Sequence, residues 1–105
     1  MPFRPLRRSS APYEVVQYFE AVAAVSDRVT LERHGTTYGD RPLIHAFVTS
    51  PDNHNRLDEI RAANRQLSEA PEEVTDAMLQ DHPAVAYMGY SIHGDEASGT
   101  ESAVL

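Results

Sequence analysis

Apolar residues recur along this chain with two different periods, and the changes of period fall at turn and capping residues. From Tyr13 the apolar positions Val15, Phe19, Val22 and Val25 repeat at helical spacing, with Glu14, Gln17 and Glu20 elsewhere on the wheel. Pro12 suits the first turn of that helix, where its missing N–H is harmless, and Ser26-Asp27 ends it near Val25. Val29-Thr-Leu-Glu-Arg33 then alternates apolar with polar, the pattern of a half-buried strand. Gly35-Thr-Thr-Tyr-Gly39-Asp-Arg-Pro42 is turn chemistry, and Leu43-Ile-His-Ala-Phe-Val48 is a second strand. The two strands are predicted to pair as an antiparallel hairpin with a long loop.

The helical period returns after Ser50-Pro-Asp-Asn-His54, where Asp52 or Asn53 is available as a cap. Leu57, Ile60, Asn64 and Leu67 follow at helical spacing, with Ala63 also on the apolar face, and this helix should end before Pro71. Pro71 opens a short helix carrying Val74, Met78 and Leu79, which Asp81-His82-Pro83 breaks. Ala84-Val-Ala-Tyr-Met-Gly-Tyr90 is continuous and apolar, as expected of a strand covered on both faces, with Tyr87 and Tyr90 packed in core and sheet. Ser98 and Glu101 have capping-box spacing and predict a last helix. The order of elements predicts an α/β layer built round a sheet.

Composition narrows the functions. With 105 residues the chain makes at most one domain with a modest core, and 41% hydrophobic and 24% charged residues place it among globular chains. A net charge of −7, from 16 acidic against 9 basic residues, argues against binding a phosphate backbone, so no nucleic-acid partner is expected. All the basic residues are Arg; Arg4, Arg7 and Arg8 read as part of a solvated, flexible tail over residues 1–11. The absence of cysteine excludes disulfides, thiolate catalysis and Cys-based zinc sites. No apolar run approaches the ~18 residues of a membrane span, and no signal peptide is evident. The compartment stays open, with secretion compatible with a start further upstream.

The chemistry gathers near the carboxyl terminus. The apolar run feeds a His93-Gly94-Asp95-Glu96 turn, which sets an imidazole and a carboxylate three positions apart on a loop leaving the predicted strand. Zinc accepts both donor types, and hydrolytic sites typically use three protein ligands and leave one position for water. His93 and Glu96 supply two ligands; Gly94 lets the loop fold, and Asp95 reads as a solvent-facing or outer carboxylate. Taken alone, a His and a Glu at this spacing are more often two unrelated loop residues. The preceding apolar strand and the following helix favour a ligand loop, since α/β proteins bind ligands at the carboxyl ends of strands. His34, His45, His54 and His82 have no partner motif; His45, between Ile44 and Ala46, reads as a half-buried structural residue.

Three segments, in order, resemble the zinc carboxypeptidases of the funnelin type, particularly their bacterial branch. Ser26-Asp-Arg-Val-Thr-Leu-Glu-Arg-His-Gly35, with Thr37 and Arg41-Pro-Leu43, is similar to that family's hairpin. Ser50-Pro51 through Asn55-Arg-Leu-Asp-Glu-Ile-Arg-Ala-Ala-Asn64 is similar to its first long connecting helix. Tyr90-Ser-Ile-His-Gly-Asp-Glu-Ala-Ser-Gly-Thr-Glu-Ser-Ala103 resembles the segment bearing its first two zinc ligands.

The resemblance covers residues of roughly 13 to 105. It implies a partial, truncated version of a three-layer, mixed-sheet carboxypeptidase fold, with residues 12–105 as the amino-terminal part of the domain. One zinc ion is implied, held by His93 and Glu96 and by a third ligand absent from this chain. The implied activity is release of carboxyl-terminal residues from a peptide substrate, with no catalytic residue in this chain. The family's third ligand (a His), its substrate-carboxylate Arg and its general-base Glu lie downstream, whereas the sequence stops at Leu105. The family's hairpin turn commonly reads Glu-Gly-Arg where Gly39-Asp40-Arg41 stands here. The amidohydrolase branch of the same fold, acting on N-acyl amino acids, is an alternative, although it reaches its zinc motif much sooner than residue 93. A non-catalytic truncated copy acting as a binding module is another.

Overall fold

A computed structural model describes residues 10–104 of the chain. Arg4, Arg7 and Arg8 lie outside the described residues, as does most of the expected tail. The protein combines helices with one two-stranded antiparallel sheet, a mixed α/β composition. It divides into two compact units, residues 10–48 with 88–104, and residues 49–87.

The first unit opens with helix α1, Pro12–Val25. Pro12 occupies its first position, where no intrahelical donor is required. Ala11 has no side chain with which to cap, and Glu14 reaches back instead: its Oε2 accepts the Ala11 N–H at 2.6 Å. The stripe is half-buried at Val15, Phe19 and Val22, but Val25 is exposed. Ser26 closes the helix by donating its N–H to the Val22 carbonyl, 3.0 Å.

Strands β1, Val29–Thr36, and β2, Pro42–Val48, form the expected hairpin, and α1 packs against β1. Val29 opposes Val48, Leu31 opposes Ala46 and Glu32 opposes His45. The register slips between Arg33 and Gly35, which leaves His34 as the extra residue of a bulge. Pairing therefore continues three residues beyond Arg33, and part of the anticipated turn belongs to the strand. The loop is short as a result. Thr37 donates its N–H to the Arg41 carbonyl (2.8 Å), its side-chain oxygen accepts the Arg41 N–H (3.1 Å), and Asp40 takes a left-handed φ of 57°.

The second unit is helical. Helix α2, Pro51–His54, is capped by Ser50, whose Oγ accepts the Asn53 N–H at 3.3 Å; neither Asp52 nor Asn53 caps it. Helix α3, Leu57–Glu69, half-buries Leu57, Ile60, Ala63 and Leu67 and ends before Pro71, as its periodicity requires. Asn64 lies beside that stripe, and its Oδ1 meets His82 Nε2 at 2.9 Å. Pro71–Glu73 is a single 3-10 turn, followed by helix α4, Asp76–Asp81, which Thr75 caps. Arg56 ties the end of α4 back to α2: its guanidinium donates to the Asp81 carboxylate (2.6 Å), the Asp81 carbonyl (2.9 Å) and Asn53 Oδ1.

The third strand does not form. Residues 84–90 make no backbone–backbone hydrogen bond among the described residues, and the sheet has two strands only. Strand geometry needs a neighbour to pair its N–H and C=O groups, and a run alone leaves both to solvent. The run is exposed throughout, Tyr87 at 93% and Tyr90 at 45%, so neither tyrosine packs in a core. No side chain among the described residues is fully buried.

Candidate metal centre

The His93-Gly-Asp-Glu96 segment is a tight turn in the first unit. Glu96 donates its N–H to the His93 carbonyl at 3.1 Å, which closes a four-residue reverse turn with Gly94 and Asp95 at its tip. Helix α5, Ala97–Ala103, starts immediately afterwards with Glu96 as its N-cap. The Glu96 side chain does not fold back to cap the helix. His93, Asp95 and Glu96 are all exposed, and none has a side-chain hydrogen bond or ion pair among the described residues. The two proposed donors thus stand three residues apart on an ordered turn and are free of competing partners. The turn follows an unpaired extended run, so it does not leave the end of a strand as the sequence predicts.

Hydroxyl contacts hold the turn against the helix. Ser91, with a left-handed φ of 52°, donates from Oγ to the Glu96 carbonyl at 3.3 Å and is hydrogen-bonded to the Thr100 hydroxyl. Gly99 makes the approach possible: a Cβ there would lie 2.7 Å from the Ser91 nitrogen. Gly94 is different. It has no positive φ, and a Cβ added to it would meet nothing within 4 Å, so the turn does not depend on its special freedom.

The predicted capping box in α5 is absent, because the helix begins before Ser98. Glu101 instead receives the Ser10 N–H on Oε1 at 2.5 Å and the Ser10 hydroxyl on Oε2 at 3.2 Å. That carboxylate joins the last helix to the residues leading into α1. Sequence spacing gave no hint of a contact across 91 positions.

Donor chemistry fits zinc as far as it extends: one imidazole nitrogen and one carboxylate on a single turn. Two donors are half to two-thirds of a protein ligand set, and no group of three or more His, Asp or Glu able to hold a metal occurs among the described residues. His45 meets Glu32 (Nε2 to Oε2, 3.2 Å) and stacks on His34 with ring centroids 5.1 Å apart, a cross-strand pairing on a half-covered hairpin face. His54 has both ring nitrogens shielded and without a hydrogen-bond partner. His82 bonds Asn64.

No family model matches the chain, and no curated protein or solved structure is significantly similar to it. No helix among the described residues is long and apolar enough to cross a membrane.

Proposed function

We propose that residues 12–105 are the amino-terminal part of a zinc metallocarboxypeptidase domain, in which His93 and Glu96 are two of the metal's protein ligands. The observation that carries this reading is the closed His93–Glu96 turn, whose two donor side chains are exposed and unpartnered at the start of α5. Asp40, at a left-handed φ of 57°, departs from the glycine that the resembled family's turn commonly carries there. The missing third donor and the bare run 84–90 fit a domain whose remaining strands and ligands come from elsewhere.

In that setting a zinc ion held in part by His93 and Glu96 would supply Lewis-acid chemistry and lower the pKa of a bound water. The chain's own part is narrower. His93 would present a ring nitrogen and Glu96 a carboxylate oxygen from one turn, which is closed by the Glu96 N–H to His93 carbonyl bond and braced by the Ser91 hydroxyl on the Glu96 carbonyl. Among the described residues, no third ligand joins His93 and Glu96, and the resembled family's general base has no counterpart in this sequence. A base alone is typically worth ~10²–10⁴-fold, so the 105-residue chain should not hydrolyse peptide carboxyl termini.

The test compares this chain with the product of a longer reading frame. The longer protein should bind one zinc ion and cleave carboxyl-terminal residues, losing both properties on His93→Ala or Glu96→Ala. Metal-dependent turnover by the short chain, or undiminished zinc binding in both variants, would overturn the proposal.

A further inference from the structure

We propose that Ser91 and Thr100 form a hydroxyl clasp that positions the His93–Glu96 turn for metal ligation, with Gly99 as the residue that lets the clasp close. The inference rests on the zinc reading of that turn and assigns it a positioning device. The Ser91 hydroxyl has one proton, which it donates to the Glu96 carbonyl at 3.3 Å. Its contact with Thr100 must then run the other way, with Thr100 Oγ1–H donating to Ser91 Oγ. The chain of donors therefore runs from Thr100 in α5, through Ser91 before the turn, to the backbone of the second ligand. It spans the turn from outside, while the Glu96 N–H to His93 carbonyl bond closes it from inside.

Two features show that the arrangement is specific. Ser91 occupies a left-handed conformation at φ 52°, which residues with a Cβ rarely adopt without compensating contacts. The helix lies so close to Ser91 that a Cβ on Gly99 would sit 2.7 Å from the Ser91 nitrogen, 3.1 Å from its Oγ and 3.3 Å from its Cα. Neither Ser91 nor Thr100 is a ligand in this scheme. Both are positioning residues, and they leave the Glu96 carboxylate uncommitted because the Glu96 carbonyl carries the hydrogen bond.

Thr100→Val and Thr100→Ser separate the hydroxyl from the methyl group. Two readouts apply to the chain as it exists: amide exchange at Glu96, and the zinc-induced shift of the His93 imidazole by NMR. Thr100→Val should speed Glu96 exchange about tenfold, the scale of one lost hydrogen bond, and weaken the zinc response at His93 by a similar factor. Thr100→Ser should restore both. Unchanged exchange and zinc response in Thr100→Val would overturn the clasp while leaving the ligand assignment standing. Equal losses in both variants would overturn it too, because Thr100→Ser keeps the hydroxyl and the loss would then not follow from its removal. A wild-type His93 that does not respond to zinc would overturn the ligand reading itself, and the positioning role with it.

Discussion

The two glycines nearest the candidate ligands, Gly94 between them and Gly99 after them, have opposite structural roles. Gly99 is held against backbone, with its would-be Cβ 2.7 Å from the Ser91 nitrogen, and backbone cannot move aside as a flexible side chain can. Gly94, at the tip of the turn, has open space and an ordinary φ. Gly99→Ala should therefore push α5 off Ser91 and destabilise the turn by about 1–3 kcal/mol, the usual cost of overpacking. Gly94→Ala should be neutral or favourable by roughly 0.4–1 kcal/mol, because it reduces the freedom of the unfolded chain at a conformation alanine can adopt. Amide exchange over residues 91–100 in the two variants checks both signs, and a larger loss in Gly94→Ala would reverse this view of the turn. The His93-Gly-Asp-Glu96 turn itself was legible in the sequence. Its support was not, since the Ser91–Thr100 bond and the Glu101–Ser10 contact depend on where the chain folds back rather than on local spacing.

Among the elements, those whose stabilising contacts are local were legible and those that need a distant partner were not. Helix α3 carries its apolar stripe and its stop signal within its own residues, and it forms between Leu57 and Glu69 as expected. The hairpin needs only the adjacent alternating segment and a turn, and it forms with a bulge at His34 that alternation cannot forecast. Residues 84–90 have the composition of a buried strand, yet strand formation there requires neighbours that the described chain does not provide. Val85, Tyr87, Met88, Tyr90 and Ile92 are left 60%, 93%, 69%, 45% and 84% exposed in a stretch free of charge and proline. Such a stretch is a template for edge-to-edge association. Tyr87→Lys together with Met88→Lys should increase the soluble concentration of the chain and slow its sedimentation into aggregates. Aggregation that proceeds at the same rate in the double variant would place the responsible surface elsewhere.

For the whole molecule, the governing fact is that no described side chain is fully buried. Burial of apolar surface is the main force opposing chain entropy, and a fully buried aliphatic or aromatic side chain is worth roughly 1.5–3 kcal/mol. The half-covered stripes of α1 and α3 forgo much of that gain, and an isolated two-stranded hairpin adds little by itself. The 105-residue chain should therefore unfold over a broad temperature range, with helix and hairpin signals losing amplitude at different temperatures. A sharp transition coincident in both signals, from a monodisperse monomer, would show an independent small domain.

The assignment of His93 and Glu96 as zinc ligands stands or falls most directly on a zinc titration of this chain, followed at all five histidine imidazoles by NMR. A two-donor turn should bind with a Kd on the order of 1 mM, near −4 kcal/mol, with His93 shifting first. His93→Ala should abolish that first response, and Glu96→Ala should weaken it. Zinc that shifts His34 and His45, His54 or His82 before His93, or leaves His93 unmoved at saturation of the others, would contradict the assignment.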